Sequence, residues 1–191
     1  VRTVALDASA AAAGLGQTVP NPWGIAVSGD GETVVVTAAA AHGDPGDGRP
    51  AMHGMFTLDR DGNVLGSALV GALPEGVTAR SGPSGEAQVA YVLNTADSSV
   101  SVVDLADPQH PATVGSALVV GSDPTPAQIR LGRVAFHTAR GATNKTFACG
   151  SCHPNGNIDQ LQWVINSVNA PDDGKDAGGQ FAEPRTTQPI R

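Results

Sequence analysis

Five residues near the C-terminal end have types and spacing that could do chemistry. Cys149, Gly150, Ser151, Cys152 and His153 read as C-x-x-C-H, and the two thiols are the only cysteines in the 191-residue chain. That pattern is the attachment sequence for a c-type haem. The thiols of Cys149 and Cys152 would add across the two vinyl groups of the porphyrin, and His153 would bind the iron from the proximal side. Two intervening residues let both sulfurs reach one macrocycle edge and carry the next residue under the iron. A redox cysteine pair should follow a strand in an α/β pattern, and none is visible here. A structural zinc site needs four ligands, usually from two Cys/His clusters, and there is no second cluster.

The distal side of such an iron is open in the sequence. Met52 and Met55 qualify by chemistry, since a thioether raises the potential of an electron-transfer haem. Met55 falls on an expected strand and reads as core packing. His137 lies on an expected helix before the motif, at a surface or haem edge, and His42, His53 and His110 lie in or beside loops. With no protein ligand, the sixth position would be vacant or take water, and could bind peroxide or small gases. Phe136, Phe147 and Trp163 flank the motif as haem wall, core or both. Arg140, Lys145, Arg185 and Arg191 could pair with propionates, although solvated bases are the plainer reading. Asp159, Asp172, Asp173 and Asp176 could suggest calcium, but EF-hand spacing is absent. A good proximal histidine needs a partner on its other ring nitrogen, and the sequence does not identify one.

Composition constrains what positions these residues. Aromatics are only 4% of the chain, so Val, Leu, Ile and Ala must fill the core, and 24 Gly with 14 Pro point to many turns. The net charge of −7 argues against a nucleic-acid partner. No apolar run approaches the roughly 20 residues a membrane helix needs. Covalent haem attachment generally happens outside the cytoplasm. The expectation is therefore a periplasmic or otherwise extracytoplasmic protein, processed or truncated, since the chain starts at Val1 without a leader.

Before the motif the chain reads as short strands. Thr3 to Leu6 is β-like, and Ala8 to Gly16 is a loop in which Ala8 to Ala13 could form a helical turn. Four strands follow at 24–28, 33–37, 55–58 and 64–70, with hairpin turns at Asp30-Gly31 and Asp61-Gly62-Asn63. The order recurs at 76–79, 88–93, 100–105 and 113–120. Gly66-Ser67-Ala68-Leu69-Val70 even reappears as Gly115-Ser116-Ala117-Leu118-Val119. Repeats of about 40–50 residues with four antiparallel strands suit β-propeller blades. Two blades do not close a ring, so missing blades or a partner would have to cover the edges. From Asp123 the composition changes. Thr125-Pro126-Ala127-Gln128 reads as a capping box with Thr125 as N-cap and Pro126 at the first helical position, and Arg140-Gly141 as the helix end. Leu161 to Val168 fits a short amphipathic helix, or a strand through Leu161, Trp163 and Ile165. Residues 169–179 are polar and Gly/Asp-rich, and 184–191 read as an extended tail.

Two stretches carry a resemblance. Ala90-Tyr91-Val92-Leu93-Asn94-Thr95 with Ser99 to Asp104, and Pro22 to Ser28 with Asp30-Gly31, resemble the YVTN-type propeller repeat. Arg130 to Phe136 before the motif, Pro154-Asn155-Gly156, Asp159 and Trp163 after it, and Arg185-Thr186-Thr187-Gln188-Pro189-Ile190-Arg191 beyond resemble the C-terminal haem domain of dihaem cytochrome c peroxidases and MauG-type proteins. The resemblance implies a mainly β chain. Two propeller-like blades at 1–122 are followed by a small, mostly α-helical and irregular cytochrome c-like domain at 123–191. It implies haem c as cofactor and a redox partner protein, with electron transfer as the activity. A peroxidase-like or MauG-like enzyme is the alternative, and a binding scaffold with a structural or sensory haem is a third reading. Two departures bear on this. Gln160 stands where a glycine is usual, and only one C-x-x-C-H is present, so peroxidase chemistry would need a second haem from other sequence or a partner.

Overall fold

The computed structural model describes residues 3–13, 21–42, 52–138, 148–164 and 184–187. It is mainly β, with two antiparallel sheets and few helices. The chain divides into two compact units, Val1–Cys149 and Gly150–Arg191.

In the first unit, helix α1 (Leu6–Ala12) precedes four strands: β1 (Pro22–Val27), β2 (Thr33–His42), β3 (Met52–Asp59) and β4 (Val64–Val70). They pair antiparallel in chain order. The turns are as the sequence predicts: Gly31 and Gly62 take φ of +76° and +85°, where a side chain would be strained. The Asp30 carboxylate accepts from Ser28 Oγ and the Glu32 amide, and that of Asp59 from both nitrogens of Asn63. These bonds hold both carboxyls below the usual range.

The second sheet holds β5 (Pro74–Ser81), β6 (Ala87–Asn94), β7 (Ser99–Asp104), β8 (Ala112–Thr113) and β9 (Leu118–Val119), with β8 and β9 both paired to β7. The single strand expected at 113–120 is thus broken. Gly115 turns to φ +63° between the two pieces, and residues 112–120 are all exposed. With every residue exposed, this outer strand has no buried face to fix its register.

The sheets pack face to face. Val35, Met55 and Ala68 of the first meet Ala87, Ala90, Val92, Val103 and Leu105 of the second. Strand β5 lies against β1 and β2, and β4 lies against β8. Thr57 Oγ1 donates to the Pro108 carbonyl and Thr113 Oγ1 to that of Leu69, so hydrogen bonds cross the junction. The far face of the first sheet is covered by α1, where Ala10 packs with Val36, Phe56, Leu58 and Val64. The β-like run expected at Thr3–Leu6 is therefore corrected: the helix begins at Leu6. Leu6 and Ala10 are four apart and share one helical side, and the alanine-rich sequence favours a helix.

Helix α2 (Ala127–His137) also belongs to the first unit. Val134 packs on Ala39, Leu73 and Ala96, and Asn21 Nδ2 donates to the His137 carbonyl at 3.0 Å. These contacts tie α2 to the first unit, which runs to Cys149. The expected capping box is not formed. Pro126 is the N-cap, without a side-chain cap. Asp123 Oδ1 accepts the Thr125 amide at 2.9 Å, and Arg133 reaches Asp123 Oδ2 at 3.3 Å and Thr125 Oγ1 at 3.5 Å. The Thr125 hydroxyl thus serves Arg133 and not the helix end. The helix stops at His137, and the expected Arg140-Gly141 stop lies outside the described residues.

Helix α3 (Cys149–Cys152) leads into the second unit. A 3₁₀ turn (Pro154–Gly156) follows, then β10 (Gln162–Val164) and β11 (Pro184–Thr186), which pair antiparallel. Over the expected domain at 123–191 the described elements are α2, α3, the 3₁₀ turn and these two short strands. The amphipathic helix expected over Leu161 to Val168 gives way to β10, where Trp163 pairs with Arg185. A β-branched and aromatic run takes a strand when a partner edge is present. Among the described residues no helix is long and apolar enough to cross a membrane.

Candidate functional site

The site is built on one turn of helix and one tight turn after it. Helix α3 spans Cys149 to Cys152, so the two thiols, three positions apart, lie on the same side of the helix. Neither is in a disulfide; Cys149 is exposed and Cys152 half-buried. At His153 the backbone leaves the helix (φ −120°, ψ 62°), and Pro154 opens the 3₁₀ turn, where its missing N–H costs nothing. Gly156 closes the turn at φ +76°, and its amide donates to the His153 carbonyl at 3.1 Å.

This turn returns the chain over the imidazole. His153 Nδ1 lies 3.0 Å from the Asn157 backbone oxygen. A carbonyl can only accept, so Nδ1 carries the proton, and in the neutral ring the lone pair is then on Nε2. The orienting partner that the side-chain sequence did not reveal is a main-chain group. Its sequence signal is the Pro154-Asn155-Gly156 turn, which sets where the next carbonyl points.

Asp159 fixes the end of the loop. Its amide donates to the Cys152 carbonyl at 3.1 Å. Its Oδ1 accepts Thr187 Oγ1 at 2.7 Å and the Leu161 amide at 3.0 Å. Asp159 is thus a structural clasp between the motif and the segment after β11. Between Asp159 and Leu161, Gln160 sits at φ +57°, a left-handed conformation that costs a non-glycine residue roughly 1–2 kcal/mol.

Two thiols and one imidazole suit a porphyrin better than a bare ion. Among the described residues no three His, Cys, Asp or Glu side chains gather to hold a metal. Cys149, Cys152 and His153 therefore do not converge on one point. Haem attachment requires no such convergence, because the sulfurs bond to carbon and only the imidazole addresses the iron.

The other candidates disperse. Met55 is fully buried in the core between the sheets, as its place on a strand predicts. Met52, His53 and His42 lie on strands by their backbone, and their side chains fall outside the described residues. The exposed His110 pairs with Asp107 at 2.8 Å, which lowers the Asp107 pKa. His137 is packed edge-on against Trp23 and Phe136, with ring centroids 5.7 and 5.2 Å away. Its Nδ1 is buried without a partner. Burial lowers the His137 pKa, Glu75 opposes that shift, and Arg133 adds to it. Trp163 and Arg185 are cross-strand neighbours by backbone pairing. Phe147, Arg140, Lys145, Asp172, Asp173, Asp176 and Arg191 lie outside the described residues. No family model matches the chain, and no curated protein matches it significantly.

Proposed function

We propose that the chain is a c-type haem protein that carries electrons, with the haem bound covalently through Cys149 and Cys152 and ligated by His153. The observation that carries this reading is the His153 Nδ1 to Asn157 carbonyl hydrogen bond of 3.0 Å beside two thiols one helical turn apart. When bound, haem supplies a one-electron ferric/ferrous couple. The chain's own part is to hold it: two side chains tether the macrocycle edge, the Asn157 carbonyl orients the imidazole, and Asp159 clasps the loop. The two sheets are read as neighbouring propeller blades. This rests on chain-order strand pairing and on the way β1 faces β5 and β4 faces β8. Covalent attachment implies an extracytoplasmic, periplasmic setting, and the carrier role implies a redox partner protein.

The test is co-expression with haem c maturation machinery, followed by mass spectrometry and optical and EPR spectra. The expected result is one haem added to the chain and a reversible one-electron couple that does not react with peroxide. Absence of covalent haem would overturn the proposal. A high-spin ferric centre that reacts with peroxide would replace the carrier role with the peroxidase-like one.

A further inference from the structure

The two sheets repeat not only in strand order but in register. Ile25 pairs with Val36 as Val77 pairs with Val92. Ala26–Val35 and Val27–Val34 match Thr78–Tyr91 and Ala79–Ala90 in the same way. Equivalent positions can therefore be compared for what covers them. Val35 is 0% exposed because the second sheet lies on it, whereas its equivalent Tyr91 is 38% exposed. Thr37 is fully buried, whereas its equivalent Leu93 is 41% exposed. The opposite face shows the reverse. Val77 packs against the core between the sheets, whereas its equivalent Ile25 is 68% exposed.

The glycines indicate what shape is missing. A Cβ on Gly24 would stand 2.5 Å from the Glu75 carbonyl oxygen, so β5 can approach β1 only because Gly24 has no side chain. The equivalent in the second sheet is again a glycine, Gly76, yet a Cβ there would meet only Leu93 of its own sheet, at 3.3 Å. Gly66 is pressed in the same way by the Gln109 carbonyl at 2.5 Å, and its sequence repeat Gly115 has nothing within 4 Å. The second sheet thus keeps the clearances for a neighbouring strand without the neighbour.

The complementary surface is on the same chain. Helix α1 covers the far face of the first sheet around Phe56 and Val64, but leaves β1 open. A cleft of about 450 Å³ runs there, lined by Leu6, Trp23, Ile25, Val34, Val36 and Leu58. We propose that the outer face of the second sheet, at Gly76, Thr78, Tyr91 and Leu93, seats strand β1 of a second copy of this chain, head to tail. The contact repeats between chains the β1-to-β5 packing already made within one. It is heterologous, so it closes only as a ring. The inference rests on the blade reading and is independent of haem.

Sedimentation velocity of the purified chain over roughly a hundredfold concentration range tests it. The expected result is reversible self-association. Tyr91→Lys and Ile25→Lys should each weaken it about tenfold or more, since each spoils one of the two surfaces. Mixing these two variants should restore a heterodimer, because each keeps the surface the other lacks. Gly76→Ala should melt like the parent yet associate less. A monomer throughout the range would overturn the proposal, as would association that the variants leave intact. Failure of the mixture to recover would also overturn it, since it would indicate a symmetric contact. The blade reading is tested separately by Gly24→Ala, which should destabilise the monomer itself.

Discussion

The Nδ1 atom of His153 donates to the main-chain oxygen of Asn157 across the four-residue turn that follows the cysteines. Because the acceptor is backbone, no side-chain substitution at position 157 removes it. The informative substitutions are those of the tethers. Cys149→Ser or Cys152→Ser should leave one thioether and an unreacted vinyl, shifting the α-band of the pyridine haemochrome to longer wavelength. The double variant should release its haem entirely to acidified organic solvent. Extraction followed by absorption spectroscopy checks both outcomes.

Asp159 and Thr187 bond at 2.7 Å and join the motif loop to the segment after β11. Thr187→Val and Asp159→Asn should each cost about 1 kcal/mol, and the double variant should cost less than their sum. Denaturant unfolding in a double-mutant cycle measures the coupling. Additive losses would mean the two residues act separately.

Gln160 holds a left-handed backbone at φ +57°. Gln160→Gly relieves that strain at some cost in unfolded-state entropy, and the net expected gain is about 0.5–1 kcal/mol. An unchanged unfolding midpoint for the second unit would count against the strained geometry.

Burial lowers the His137 pKa below its usual 6.5. The folded state therefore favours the neutral ring, while the unfolded chain binds a proton near the usual value. Stability should be constant at high pH and fall as pH drops through about 6.5. It should stop falling below the lowered folded value, where both states are protonated. His137→Phe keeps an aromatic ring against Trp23 and should flatten that part of the melting curve. Thermal unfolding as a function of pH decides it.

Gly24→Ala places a methyl 2.5 Å from the Glu75 carbonyl oxygen and should destabilise the first unit by about 1–3 kcal/mol. Gly115→Ala meets no neighbour, so its cost is limited to its positive φ. Comparing their melting temperatures separates packing from backbone strain.

The strands were legible because their signals are local. Thr33 to Thr37 and the turns at Gly31 and Gly62 follow from a β-branched run and glycine placement. Where a tertiary contact decides, the sequence misleads. Thr125 satisfies every rule for a helix cap until Arg133 takes its hydroxyl. Thr3 to Leu6 reads as a strand until the face of Phe56 and Val64 recruits Leu6 into a helix. The two thiols and the imidazole of the candidate site can be read from residue types alone. Its orienting group cannot, because a main-chain carbonyl has no letter in the sequence. The Asp159–Thr187 clasp spans too much chain for spacing to reveal.

The pairing of β10 with β11 brings Val164 against Pro184, and this has a consequence for the order of folding. From β1 to β4 and from β5 to β8 each strand pairs with its sequence neighbour, so those contacts close shorter loops and form early. The β10–β11 ladder must close a long one and pays its entropy before any pairing is gained. The clasp from Thr187 to Asp159 waits on the same closure. The thiols of Cys149 and Cys152 would thus remain accessible for covalent modification after the sheets are complete, and the second unit would lock around its motif last.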